Sequence, residues 1–194
     1  MWAVARGRPV DATLRAPVLL KLGDKVSTDD ISPSGTAALI FRSNVPAISE
    51  FTFKNVDADF VARARAAGSS VLVGGEIYGH GSSREAAVLS PLHLGVRVVL
   101  AKSFARIHRA NLINWGLVPL EFEDTADCEG IQRDDMLRFD DLHDALHAGR
   151  RIAVTDERSG RTFQTRCVLT PRERDILLAG GLLAQTAGRA KGTA

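Results

Sequence analysis

Cysteine is scarce in this chain, and its two cysteines are not arranged as metal ligands. Cys128 and Cys167 stand far apart, and no CxxC motif occurs anywhere in the 194 residues. An iron–sulfur cluster normally needs three or four thiolates, and a structural zinc site needs four ligands. The chain therefore cannot supply the ligands of a cluster by itself, and no metal site is predicted in it. Two isolated thiols are typical of reduced residues, although one disulfide stays open at this point.

Long hydrophobic runs and a large net charge are also missing. No stretch of about 18 apolar residues is present, so no transmembrane helix is expected. The N-terminal segment lacks the continuous apolar core of a secretory signal. The 25 basic and 23 acidic residues give a net charge of +2, which attracts neither nucleic acid nor an anionic membrane strongly. We therefore expect a cytoplasmic protein with no nucleic-acid partner and no membrane partner.

What is present is the composition of an ordinary globular protein. Apolar residues make up 45% of the chain and charged residues 25%, and 194 residues suffice to bury a sizeable core. The apolar runs and helical patterns between residues 70 and 120 alternate as β-α-β-α-β, which predicts a parallel sheet with crossover helices. A hairpin is expected over residues 151–168. A helix is expected from Thr170, because Pro171 and Glu173 complete a typical helix start.

These patterns predict one α/β domain with a mainly parallel sheet and flanking helices. Residues 1–16 show no usable hydrophobic period and are predicted to be an N-terminal arm or interdomain linker. The domain itself is placed at residues 17–186, with its first strand beginning at Val18. Residues 187–194 are small and polar, and we expect them to form a frayed tail.

A glycine-rich loop, Tyr78–Glu85, connects a predicted strand to a predicted helix. In α/β proteins ligands bind at such loops, where glycines and the N–H groups of a helix N-terminus admit an anion. Ser82, Ser83 and Arg84 stand together there, and arginine binds carboxylates or phosphates through two hydrogen bonds. A purely structural interpretation stays open, because the segment from Ser82 to Glu85 also fits an S-x-x-E capping box.

A second polar loop, Ser27–Asp30, places adjacent carboxylates after two hydroxyl groups. These carboxylates can bind a divalent cation, anchor an arginine or cap a turn, and turn formation is the commonest use of such residues. Asp29, which lies within this loop, and Arg42, which follows thirteen residues later, are candidate site residues. A solvated surface arginine is the simpler interpretation of Arg42.

A histidine and an asparagine, His108 and Asn111, fall on the helix predicted to follow Phe104. One face of this helix is able to bind a ligand, but Ile107 and Leu112 indicate that it also carries a core face. We expect His108 to be a structural histidine whose hydrogen bonds are satisfied within the fold.

Several of these segments together resemble one family. The stretches GDKVSTDDISPSG, FRSNVPAISEF, VGGEIYGHGSSREAA, LGVRVVLAKSFARIHRANLINWGLVPLEF and ILLAGGLL are similar to the C-terminal swivel domain of aconitases, in the same order. The small subunit of 3-isopropylmalate dehydratase shares this fold and the GSSRE loop, and is the second candidate. The resemblance implies a swivelling β/β/α domain.

The resemblance also implies an activity and roles for individual residues. It implies a hydro-lyase that isomerises citrate to isocitrate through cis-aconitate, with a [4Fe–4S] cluster held by three cysteines outside this chain. Ser82 matches the serine that acts as the alkoxide base. Ser83 and Arg84 match residues that stabilise the substrate, Arg42 matches an arginine that binds a substrate carboxylate, and Asp29 matches an aspartate that orients neighbouring groups.

The implied partners are a hydroxy-acid or tricarboxylate substrate and the cluster-bearing domains. Residues 1–16 resemble the interdomain linker of single-chain aconitases, which favours a domain of a longer chain over a separate small subunit. Two departures from the family pattern are Asp30, where many aconitases have histidine, and Ala86, where histidine or tryptophan is frequent. A non-catalytic module that binds carboxylates, phosphates or regulatory RNA is the alternative from another functional class; RNA binding would require a basic patch.

Overall fold

A computed structural model describes residues 7–33, 35, 38, 40, 41 and 43–191. Arg42 lies outside these described residues. In the described part the strands are β1 (Leu14–Lys21), β2 (Ser70–Gly74), β3 (Val96–Ala101), β4 (Val118–Phe122), β5 (Met136–Phe139), β6 (Ile152–Asp156) and β7 (Arg161–Arg166). The helices are α1 (Thr28–Ile31), α2 (Val45–Ser49), α3 (Phe60–Ala67), α4 (Ala86–His93), α5 (Arg106–Asn114), α6 (Asp127–Gly130), α7 (Leu142–Ala148), α8 (Pro171–Leu178) and α9 (Leu182–Lys191).

The strands form a closed barrel in the order β1-β2-β3-β4-β7-β6-β5. The pairs from β1 to β4 are parallel, whereas β4–β7, β7–β6, β6–β5 and β5–β1 are antiparallel. The α/β class is confirmed, but the prediction of a mainly parallel sheet with flanking helices is wrong. The sheet closes because β5 pairs with the start of β1, with Leu14 opposite Phe139.

The first strand and the last helix differ from what the sequence predicted for these two segments. β1 begins at Leu14 rather than at Val18, and the side chains of Leu14 and Ala16 are buried in the core. The alternation of buried and exposed residues in this strand is short and interrupted by polar side chains, which hid it from the sequence pattern. At the other end, α9 extends through residues 182–191, across most of the segment expected to be a tail.

The core has two parts, which lie on opposite faces of the parallel strands β1 to β3. One hydrophobic cluster contains residues from all seven described strands and so fills the barrel. The other cluster packs the opposite faces of β1 to β3 under α3, α4 and α5. Successive residues in a strand point to opposite faces, so Val71 and Val73 belong to the first cluster and Leu72 to the second. Burial on both faces explains the continuous apolar runs of β2 and β3.

Two helices begin or end at residues that are typical of such positions. Thr170 and Glu173 form a capping box at the start of α8, and α3 ends at Gly68, whose φ is 70°.

Both cysteines are free thiols. Among the described residues, no helix has the length and apolar character needed to cross a bilayer.

Candidate active site

The loop Tyr78–Glu85 follows β2 and is held on one side by the segment after β1. Gly79 N and His80 N donate to the carbonyl of Val26, at 2.8 Å and 3.1 Å, and Thr28 N donates to the carbonyl of His80 at 2.9 Å. The hydroxyl of Thr28 donates to the carbonyl of Ser82 at 3.0 Å. Because β1 and β2 are parallel, their carboxyl ends meet at one edge of the barrel, and the two loops pair there.

On its other side the same loop is held by the segment between β3 and α5. Tyr78 N donates to the carbonyl of Ser103, and Ala105 N donates to the carbonyl of Tyr78, both at 2.9 Å. The ring of Tyr78 is buried and meets the ring of Phe104 edge-on, with 6.0 Å between centroids. The loop is therefore fixed between two neighbouring loops, while its tip at Ser82 and Ser83 is exposed.

Neither serine at the tip caps a helix. Helix α4 begins at Ala86, its N-cap is Glu85, and no side chain makes a capping hydrogen bond there. The capping-box interpretation of Ser82–Glu85 is therefore wrong. The hydroxyl of Ser83 instead accepts a hydrogen bond from Asn111 Nδ2 on α5, at 3.4 Å. Both hydroxyl groups are thus left available to a ligand at the end of the loop.

Arg84 is anchored across the two loops by Asp29. Its Nη1 and Nη2 donate to Asp29 Oδ1 and Oδ2 at 2.5 Å and 3.1 Å, and Nη1 also lies 3.4 Å from the carbonyl of Ser32. Of the three roles open to the acidic loop, anchoring an arginine is the one that Asp29 has. The neighbouring Asp30 caps α1 through a capping box with Ser27, which gives this departure from the family pattern a structural role.

A cleft of about 200 Å³ opens between this loop and the start of α5. It is lined by Thr28, Gly79, Gly81, Ser82, Ser83, Arg84, Ala105, Arg106, Ile107, His108 and Asn111. The N-cap of α5 is Ala105, which has no side-chain group to cap the first turn. The N–H groups of that turn and the positive end of the helix dipole therefore face the cleft and favour an anion there.

His108 lies in the first turn of α5 and is buried, with 3% of its surface exposed. Neither ring nitrogen has a hydrogen-bond partner among the described residues. The expectation of a histidine with satisfied hydrogen bonds is therefore wrong. Burial lowers the pKa of His108 from its ordinary value of 6.5 to about 4, so the ring is neutral at neutral pH.

The structure thus brings together four of the five predicted site residues, namely Asp29, Ser82, Ser83 and Arg84. The fifth, Arg42, lies outside the described residues. Asn111 was named in the sequence analysis on a helix face able to bind a ligand, but no ligand-facing role was given to Thr28 or to the N-terminus of α5. The one signal for these two was position, since each belongs to a segment that follows a predicted strand at the same edge of the sheet. In the part of the chain that the structure describes, no group of three His, Cys, Asp or Glu side chains is arranged to hold a metal.

Comparisons with known proteins point to one family. The sequence profile of the aconitase C-terminal domain matches residues 47–125. A putative mitochondrial aconitate hydratase of Emericella nidulans is 33% identical over 86% of this chain, which spans 24% of that protein. The small subunit of 3-isopropylmalate dehydratase from Halothermothrix orenii is 32% identical over 89% of this chain and 95% of its own length.

A solved structure agrees with these sequence matches. The crystal structure of a 3-isopropylmalate dehydratase from Methanocaldococcus jannaschii superposes with a TM-score of 0.77 at 28% identity, covering 93% of this chain and 97% of that one. The chain spans about a quarter of the length of the aconitate hydratase of Emericella nidulans, and 95% of the length of the Halothermothrix orenii small subunit. The resemblance drawn from the motifs is confirmed: the chain belongs to the family of the aconitase C-terminal domain, which includes the small subunits of 3-isopropylmalate dehydratase.

Proposed function

We propose that this chain is the swivel-domain part of an iron–sulfur hydro-lyase that converts citrate to isocitrate through cis-aconitate. One observation carries the proposal. The exposed hydroxyl groups of Ser82 and Ser83, the anchored guanidinium of Arg84 and the uncapped start of α5 all face one cleft. Such a cleft suits a substrate with several carboxylates.

Ser82 is the base in this proposal. Its ionised oxygen takes the proton from a carbon next to a substrate carboxylate and becomes a neutral hydroxyl group, while the hydroxyl group on the neighbouring carbon is protonated and leaves as water as the double bond forms. A serine hydroxyl has a very high intrinsic pKa, so it acts as a base only where hydrogen-bond donors stabilise the ionised oxygen. The N–H groups of α5 and the guanidinium of Arg84 provide that positive potential.

Arg84 is positioned to bind a substrate carboxylate while it stays paired with Asp29. The pair uses Nη1 and Nη2 end-on, which occupies two of the five guanidinium N–H groups. Nη1 also lies 3.4 Å from the carbonyl of Ser32, so Nε and the second N–H of Nη2 remain for the ligand. A hydrogen bond to a charged group stabilises by about 1.5–3 kcal/mol. Asp29 therefore orients the arginine, and Arg42 is proposed to bind a second carboxylate.

The two thiols of this chain do not fit a [4Fe–4S] cluster. Cys128 is buried, and its Sγ lies 3.8 Å from the carbonyl of Gly74. Burial raises the pKa of Cys167 to about 12, which keeps it protonated. We therefore assign the cluster to a partner, which is either another part of a longer chain or a separate large subunit.

The rim of the cleft supports docking of such a partner. Ile107 lines the cleft and is 53% exposed, and Ile77, just ahead of the loop, is 43% exposed. Apolar side chains exposed around a polar cleft are typical of a surface that another protein covers. The proposed setting of the assembled enzyme is the cytoplasm.

The second candidate is the small subunit of a 3-isopropylmalate dehydratase. One specific observation favours it: the crystal structure that superposes on this fold with a TM-score of 0.77 is that of a 3-isopropylmalate dehydratase. The same cleft chemistry serves both reactions, since each moves a hydroxyl group between carbons that lie next to carboxylates.

The experiment that tests the proposal begins with the complete enzyme. The gene product is tagged at its C-terminus in its native host, purified without oxygen, and its mass and companions are determined. Its turnover of citrate, isocitrate and isopropylmalate is then measured side by side. Citrate turnover by a much longer chain supports the first candidate. Isopropylmalate turnover by a chain near 20.9 kDa with a cysteine-bearing companion supports the second. No turnover of any of the three contradicts both.

A further inference from the structure

His108 is a buried polar side chain that the proposed chemistry does not use. His108 is among the residues that line the same cleft as Ser82 and Arg84, and both of its ring nitrogens are buried without a hydrogen-bond partner among the described residues. Native proteins pair almost all buried polar groups, because an unpaired one costs about 1–3 kcal/mol of stability. A side chain that keeps two unpaired nitrogens beside a cleft therefore indicates a bonding partner that arrives with the ligand.

The surroundings of the ring hold it in place. Its Cδ2 would lie 2.1 Å from a Cβ built on Gly79, and its centroid lies 5.6 Å from that of Tyr78. Only a glycine, with its φ of 83°, lets the loop backbone pass this close to the imidazole. The ring is therefore fixed in direction by its neighbours, as a binding residue should be.

The loop has more space further along, next to the serines. A Cβ built on Gly81, whose φ is 103°, would meet only Thr28 Oγ1, at 3.3 Å. One turn after His108, Asn111 donates to Ser83 from the same helix. The face of α5 formed by His108 and Asn111 thus lies against this loop, with His108 next to Gly79 and Asn111 next to Ser83.

We propose that His108 is a ligand-binding residue, whose neutral imidazole donates a hydrogen bond to a carboxylate of the hydroxy acid in the cleft. This inference rests on the proposed function for the identity of the ligand. The ring supplies a donor without adding a further full charge to a cleft that Arg84 and Arg106 already line, and no proton is transferred to it. It is therefore distinct from Ser82, which receives the proton.

The test compares two variants of the complete enzyme. His108→Phe keeps the aromatic contact with Tyr78 but removes both nitrogens, and His108→Gln keeps an N–H donor. We expect His108→Phe to raise KM for citrate by about 10- to 100-fold, which corresponds to the loss of a hydrogen bond to a charged group. Its melting temperature is measured alongside, because a phenyl ring is larger than the imidazole it replaces and packs against the loop at Gly79. His108→Gln should recover most of the affinity.

A matched control is His93→Phe, since His93 lies at the exposed end of α4, away from the cleft. This variant should leave KM unchanged. Citrate binding to the wild type and to both His108 variants is measured in parallel by calorimetry, which does not depend on turnover. A His108→Phe enzyme with wild-type KM and wild-type citrate affinity overturns the inference and leaves the proposed function standing.

The turnover assay and the binding assay together distinguish a failure of this inference from a failure of the proposed function. A wild-type enzyme that binds citrate without converting it contradicts the proposed function, and the affinities of the two variants then decide the role of His108. A wild-type enzyme that neither binds nor converts citrate overturns both. If His108→Phe fails to fold, equal citrate affinity of His108→Gln and a His108→Leu variant overturns the inference, and stronger binding by His108→Gln supports it.

Discussion

Arg84 and Asp29, 55 residues apart in the chain, form an end-on pair with N–O distances of 2.5 Å and 3.1 Å. The arginine side chain is 23% exposed and the aspartate 56% exposed, so the pair lies at the mouth of the cleft rather than in the core. An exposed ion pair contributes little to stability. Its effect is to fix the direction of the guanidinium that faces the ligand.

Replacement of this arginine by lysine tests the need for its planar fork. In the complete enzyme, Arg84→Lys should lower kcat/KM by about 10- to 100-fold, because an ammonium group cannot bond Asp29 and a substrate carboxylate together in the same geometry. Steady-state kinetics with citrate measure the change. The matched control is Arg65→Lys, which alters an exposed pair with Glu50 and should have no effect. Near-normal kcat/KM in Arg84→Lys would contradict the binding role.

Replacement of Ser82 by alanine is predicted to reduce catalysis more than replacement of Ser83. Ser82→Ala should reduce kcat by about 10²- to 10⁴-fold, the usual contribution of a general base. Ser83→Ala should cause a smaller loss, since it removes only a stabilising hydrogen bond. Neither variant should lower the melting temperature, because neither serine caps a helix. Substantial turnover in Ser82→Ala would show that the base lies elsewhere.

Substituting the glycine that packs against His108 should destabilise the fold far more than substituting a glycine with a similar positive φ and no close neighbours. Gly79→Ala places a methyl group against the buried imidazole and should lower the free energy of unfolding by about 2–4 kcal/mol. Gly68→Ala is the control, because Gly68 has a φ of 70° but no atom within 4 Å of its added Cβ. It should cost only about 1 kcal/mol. Urea unfolding measures both, and equal losses would contradict the close packing.

Burial of His108 predicts a specific dependence of stability on acidity. Its pKa is about 4 in the folded chain and near its ordinary value of 6.5 when unfolded, so the unfolded state binds more protons between these values. The free energy of unfolding should therefore fall as the pH drops through this window. At about pH 5 the loss should be roughly 2 kcal/mol.

The His108→Phe variant isolates this contribution from that of the carboxylates. Urea unfolding of the wild type and the variant at about pH 7 and about pH 5 gives the difference. The free energy of unfolding of the variant minus that of the wild type should increase at the lower pH. A constant difference between the two proteins would show that His108 keeps an ordinary pKa in the folded chain.

Some elements followed directly from the residues because their signals are local. The strands β2 and β3 occupy the segments expected for them, since apolar runs bounded by glycine and polar loops need no distant information. The start of α8 was also predictable, because Thr170, Pro171 and Glu173 lie within one turn. By contrast, the capping signal from Ser82 to Glu85 was misleading, since the loop is held by hydrogen bonds to two other loops.

The α/β character, the parallel strands, the family and the adjacent residues Ser82, Ser83 and Arg84 follow from the amino-acid sequence alone. Three relationships emerge only in the folded chain: β5 meets the start of β1 to close the barrel, Asp29 anchors Arg84, and His108 is buried without a hydrogen-bond partner among the described residues. The difference lies in the separation of the interacting residues along the chain. Helix starts and strand patterns depend on residues a few positions apart, whereas strand partners, ion pairs between loops and burial depend on which distant segments the closed barrel brings together.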